Sequence, residues 1–326
     1  MRRIFASLIL LCASFFVALQ SASAVSIQWS PVGNPGNAPD PTIMSDGTSG
    51  YGSVPYTYRI GTKDVTDSQY AEFLNTKDPS GANLLGLWNS AMANATFGGI
   101  SFNVGNPLGS RYSVIAGRQD HPVNAVTWYD TIRFANWLNN GQGNGSTETG
   151  AYTLLGGTPT PSNGNSITRN PGATVFLPSE NEWYKAAYYN PVTSSYYQFP
   201  TSSNTDPTAE APPGGSNSAN YNNAAGANLT DVGAYGVTTS PYGAFDMGGD
   251  VYQWNEALII PSFRGLRGGP FNQSLFPLRS STRSLGDPTG EFSNVGFRVA
   301  SVPEPSTEVL VVAACGLMWV LRKRFR

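Results

Sequence analysis

The sequence predicts one large α+β domain, rich in loops and with few helices. Three observations predict it. Three segments pair a hydroxyl N-cap with an amide or carboxylate three residues on, which marks a helix start: Thr66 with Gln69, Thr127 with Asp130, and Ser179 with Glu182. After residue 219 the chain breaks into short apolar runs separated by tight turns. Glycine (36 residues) and proline (24) are abundant, while only 12% of residues are charged, about half the share in ordinary soluble domains.

The elements follow in order. Residues 1–24 have the parts of a secretory signal: Arg2 and Arg3, an uncharged apolar stretch over 4–19, and Ala22-Ser23-Ala24 as a small-residue cleavage site. The expected mature start is Val25. Residues 25–53 read as an irregular lead-in and 56–61 as a short strand. The helix begun at Thr66 places Tyr70, Phe73 and Leu74 on one face. The helix begun at Thr127 does the same for Trp128, Ile132, Ala135 and Leu138, and the third carries Trp183, Ala186 and Ala187. Two polar inserts, 139–173 and 191–218, are long for loops in a compact domain, so each is expected to be functional or mobile. Residues 151–155 read as one strand of a hairpin inside the first. Short strands are expected at 251–254, 263–268 and 296–301, closing a domain over 25–301. Residues 302–326 run Val-Pro-Glu-Pro-Ser, a short apolar stretch to Leu321, then Arg322, Lys323, Arg324 and Arg326. The stretch is shorter than the roughly 20 residues of an ordinary spanning helix, and its basic end would face the cytoplasm.

Charge and cysteine usage narrow the function. Without the two ends the domain has 13 basic and 19 acidic residues, a net charge of −6. That disfavours a nucleic-acid partner, which calls for clustered Lys and Arg. Cys12 and Cys315 both lie in the end segments, so the domain offers no disulfide, thiolate metal site or cysteine nucleophile. His121 is its one histidine, which excludes a multi-histidine zinc site.

Six ordered segments carry a resemblance. They are DVTDSQY (64–70), HPVNAVTW (121–128), FLPSENEW (176–183), YGAFDM (242–247) with GDVYQW (249–254), RGG (267–269) and GFR (296–298). Together they resemble the formylglycine-generating, or sulfatase-modifying-factor, family. The resemblance implies a C-type-lectin-like α+β fold with little regular secondary structure. The tail, in its order Pro-Glu-Pro, short membrane helix and basic end, resembles the PEP-CTERM sorting signal of Gram-negative bacteria. That implies recognition by an exosortase-type enzyme and a location in the cell envelope, on the outer surface or in the extracellular matrix.

Members of the family oxidise a sulfatase cysteine to formylglycine with oxygen and copper, using two thiolates in G-G-S-aromatic-x-C-x-x-x-x-C. Soft thiolates select Cu(I). Here the same stretch reads GGPFNQ followed by SLFPL, so the serine position is Pro270 and the two cysteine positions are Gln273 and Leu278. Copper is therefore not expected. The family also binds structural calcium through loop oxygens. Asp250, where the family has asparagine, keeps an oxygen ligand and adds charge that suits a hard cation. Asn220-Tyr221 is the nearest match to a second family site. Among the other polar candidates, His121 reads as structural beside Pro122, and Glu180 and Glu182 suit the positive end of a helix dipole. Arg267, Arg279, Arg283 and Arg298 read as links between loops. The expected protein is an exported, non-oxidase binding or structural module with a glycan or protein ligand. The alternative is a formylglycine-generating-type enzyme acting on sulfatase cysteines.

Overall fold

The computed structural model describes residues 24–303. The signal-like start and the sorting-signal-like tail lie outside the described residues.

The chain builds strands β1 (Trp29–Val32) and β2 (Tyr58–Gly61), helix α1 (Asp67–Lys77), and strands β3 (Ile100–Phe102) and β4 (Tyr112–Val114). Helix α2 (Trp128–Asn139), β5 (Val175–Phe176) and α3 (Glu180–Tyr188) follow. Four two-residue strands come next: β6 (Tyr189–Asn190), β7 (Ser195–Tyr196), β8 (Thr208–Ala209) and β9 (Ser218–Ala219). The last part holds the long hairpin β10 (Tyr252–Ile260) and β11 (Phe263–Arg267), then β12 (Ser284–Gly286), β13 (Val295–Gly296) and β14 (Ala300–Ser301). Two four-stranded sheets form, in the orders β1-β2-β14-β5 and β12-β11-β10-β13.

All three helices start where the sequence placed them, each with a complete capping box. The capping side chains satisfy amides that have no partner within the helix. The helices bury aromatic faces. Tyr70, Phe73, Phe134, Trp137 and Phe297 stack or meet edge-on in one cluster. Trp128 Nε1 donates to Asn255 O, and Trp254 Nε1 donates back to Val126 O, both at 3.0 Å. These two indoles tie α2 to β10.

Three expectations need correction. Residues 151–155 form no strand, because the Asn136 side chain takes both backbone groups of Tyr152: its Oδ1 accepts from Tyr152 N at 2.7 Å and its Nδ2 donates to Tyr152 O at 3.1 Å. A side-chain amide thus replaces a strand partner. The lead-in contains β1, whose Pro31 is tolerated because β1 is a sheet edge. Helix α2 is buried over most of its circumference, including Thr131, Arg133 and Asn136; Arg133 and Asn136 bond the backbone of the first insert, and Thr131 bonds Trp128 O within the helix.

Candidate functional site

The matched segments converge, and what they build is a frame. Arg298, from GFR, lies 3.2 Å from Asp64, from DVTDSQY. Its Nε donates to Gln253 Oε1 at 2.7 Å, and the same oxygen accepts from Trp183 Nε1 at 2.7 Å. Arg267, from RGG, holds Glu180 Oε1 at 2.8 Å, while Arg283 holds Glu180 Oε2 at 2.8 Å and Asp46 at 3.0 Å. Glu182 meets Arg169 at 2.6 Å, accepts from Tyr56 at 2.7 Å, and closes the α3 capping box. Burial alone would raise the Glu182 pKa, but the hydrogen bonds and charge of Arg169 outweigh it and hold it below the usual value. Burial does push Asp64 up to about 7, against the pull of Arg298. Glu180 and Glu182 therefore serve separate arginines. Arg279 is the weakest link, at 3.8 Å from Asp206 on the surface.

Arg169 was not singled out by the sequence reading. It bridges Glu182 and Glu256 and stacks on Phe176 with its guanidinium carbon 3.5 Å from the ring centroid. A signal existed: Glu148 and Arg169 are the only charged residues in the insert 139–173. Both pin that insert to the frame, since Glu148 pairs with Arg133 of α2 at 2.8 Å. The insert is anchored rather than loose. His121 sits at the rim, with Nε2 3.6 Å from Asp231 and Nδ1 buried without a partner. Burial lowers its pKa, and Asp231 opposes this in part.

The candidate cation site forms just before β10. Asp250 adopts a left-handed conformation (φ 64°), which aspartate tolerates. Beside it, a Cβ on Gly249 would sit 2.7 Å from Asn220 O, so only glycine permits the approach. Asn220 and Asp250, expected at two sites, meet at one. Asn220 Nδ2 donates to Asp250 Oδ1 at 2.9 Å and the Thr230 amide donates to the same oxygen at 3.0 Å. Asp250 Oδ2, Asn220 Oδ1 and Thr230 Oγ1 are buried and accept or donate nothing. Asn220 and Asp250 border a cavity of about 10 Å³ that also touches Asp246, roughly the room one water or ion occupies, while Thr230 adjoins Asp250 through its amide. Burial raises the Asp250 pKa well above the carboxylate range; Asp246 and Asp64 add to this, and the Thr230 and Asn220 hydrogen bonds oppose it. A buried carboxylate with unpartnered oxygens beside it has the donor chemistry that a hard cation such as calcium would take. Tyr221 does not join this set. Its hydroxyl donates to Pro207 O at 2.6 Å and its ring packs with Phe199, Ala219 and Leu278. Among the described residues, no group of three His, Cys, Asp or Glu side chains is arranged to hold a metal.

The copper positions do not fit copper. Leu278 is fully buried in that same apolar cluster. Gln273 is exposed and accepts from the Tyr252 hydroxyl at 3.1 Å. Pro270 is buried and offers no amide hydrogen. The turn itself persists: at Gly269 (φ 76°) a Cβ would lie 2.7 Å from Pro277 Cβ.

Fold and frame define a loop-rich α+β domain of known type. It shares its fold with Treponema denticola variable protein 1 (TM-score 0.57, 19% identity, 87% of this chain and 98% of that one). It likewise matches the crystal structure of CarF (TM-score 0.57, 18% identity, 86% of this chain and all of that one). The sulfatase-modifying factor enzyme 1-like domain family matches residues 53–302, and the chain belongs to that family. A curated relative is the hercynine oxygenase of Mycolicibacterium smegmatis (strain ATCC 700084 / mc(2)155), 25% identical over 274 residues, or 75% of this chain. The chain spans about half the length of that relative (53%).

Proposed function

We propose that this protein is a non-oxidase binding module of the bacterial cell envelope, braced internally by calcium. The observation that carries the reading is the fate of the two copper positions. Gln273 faces solvent and Leu278 is sealed in an apolar cluster, while the arginine–carboxylate frame of the domain is complete. A chain that keeps the scaffold and fills the redox centre with an amide and a hydrocarbon presents surfaces rather than redox chemistry. The two inserts supply such surfaces, and the first is held rigid by Arg133–Glu148 and Arg169–Glu182. Rigid loops lose less entropy on binding. Asp250, Asn220 and Thr230 would hold the cation, whose charge would compensate the buried carboxylate. The sequence patterns of residues 1–24 and 302–326 support export and exosortase-type sorting, with membrane contact through the apolar stretch before Arg322 until processing.

The test is incubation of the full chain, with and without copper, with a peptide bearing a sulfatase-type cysteine. Mass spectrometry should show no loss of sulfur. Copper-dependent formylglycine would overturn the reading. The relation to an oxygenase favours a second reading, an oxygen-dependent enzyme. Oxygen uptake dependent on a thiol or imidazole substrate would support it.

A further inference from the structure

The first insert folds against α2 and leaves two hollows on either side of Tyr129. One, of about 230 Å³, is lined by Trp88, Tyr129, Asp130, Thr160 and Glu291. The other, of about 380 Å³, runs along residues 160–166 and shares Tyr129 and Thr160 with the first. Each is near the size range of small-ligand sites, about 300–1,000 Å³.

The walls are built rather than incidental. Trp88 is fixed by its indole bond to Ile100 O at 3.1 Å. Gly164 lets the Tyr129 hydroxyl come close, because a Cβ there would lie 2.3 Å from it. Asp130 is almost wholly buried (1% exposed). Its Oδ2 accepts from the Thr127 amide at 2.9 Å, and the residue lines the hollow. Neither lining contains Lys or Arg. The groove thus offers aromatic rings, hydroxyls and carboxyl acceptors, and calls for a ligand rich in O–H donors with apolar faces. Burial pushes Asp130 up to about 7, against the Thr127 hydrogen bonds and Arg133, and raises Glu291 as well.

We propose that this double groove binds a neutral oligosaccharide, one sugar unit in each hollow with the chain crossing Tyr129. The assignment rests on the binding-module reading and gives it a place and a ligand class. Asp130 and Glu291 accept sugar hydroxyls, the half-buried Trp88 covers an apolar sugar face, and the buried Tyr129 forms the floor between the hollows. Ring stacking of this kind needs no charge on the ligand.

The test uses the full chain in a non-glycosidic detergent on an array of neutral gluco-, manno-, xylo- and N-acetylglucosamine hexasaccharides, followed by calorimetry on any hit. Binding is expected for at least one member, with a micromolar to millimolar dissociation constant. Thr160→Arg, at an exposed position between the hollows, should abolish it, and Asp130→Asn should weaken it by about tenfold or more. Unchanged melting of Thr160→Arg would show that the loss is local. Binding that survives Thr160→Arg would overturn this site while leaving the binding-module reading intact. No binding to any member by folded wild-type protein would overturn the saccharide assignment; the peptide oxidation assay judges the module reading separately.

Discussion

Replacing Asp250 by asparagine separates a cation site from a buried aspartate that merely closes a turn. Asp250 Oδ2, Asn220 Oδ1 and Thr230 Oγ1 have no partner within the protein, and each such buried group costs about 1–3 kcal/mol when left unsatisfied. Calcium would satisfy all three. At a hundredfold excess over its dissociation constant it would stabilise the fold by about 2.7 kcal/mol. At roughly 2–4 °C per kcal/mol for a domain of this size, melting should rise by about 5–10 °C. The Asp250→Asn chain keeps the acceptor that Asn220 and Thr230 use, at 2.9 and 3.0 Å. Its new amide donor takes the place of Oδ2 and faces two orphaned acceptors. In chelator this variant should therefore melt at or above the wild type in chelator, and calcium should no longer raise it. The assay is calorimetric melting of the full chain, with calcium against excess chelator, for both proteins. Identical wild-type curves in the two conditions would refute the site. A calcium response retained by Asp250→Asn would place the cation elsewhere.

Other outcomes follow from the frame. Arg169→Met leaves Glu182 and Glu256 buried without their cation and should destabilise by about 3–5 kcal/mol, read by urea unfolding at neutral pH. The sign with pH should also reverse. In the wild type the lowered Glu182 pKa gives stability that is present above about 4.3, the unfolded value, and lost as pH falls through the folded value. In Arg169→Met burial dominates, so stability should rise as pH falls toward 4. Gln142→Ala removes two bonds that clamp Val25, at 2.7 and 2.8 Å, and should speed proteolysis near residue 25 with little change in global melting. Gln273→Cys with Leu278→Cys should not restore peptide oxidation, because residue 278 is enclosed by Phe199, Ala219 and Tyr221; copper-dependent turnover by the double variant would contradict this.

The sequence by itself determined the local decisions. A hydroxyl followed three residues later by Gln, Asp or Glu can close a capping box without help from distant chain, and all three helices begin where that pattern stands. It also determined the family, since six segments in order match one frame, and the loss of thiols, since composition alone shows it. Partnering at long range was decided only by the tertiary structure. Nothing local marks Asn136 as the partner of Tyr152, so a run that reads as a strand became a side-chain-bonded loop. Thr230 is one hydroxyl among many until folding brings its amide to Asp250. Asn220 and Asp250 matched two different motifs of the family in the sequence, and they share one cavity. The physical reason is that capping and backbone preference act over three or four residues. Burial, orphaned oxygens and raised carboxylate pKa values are set by whatever the rest of the chain packs against them.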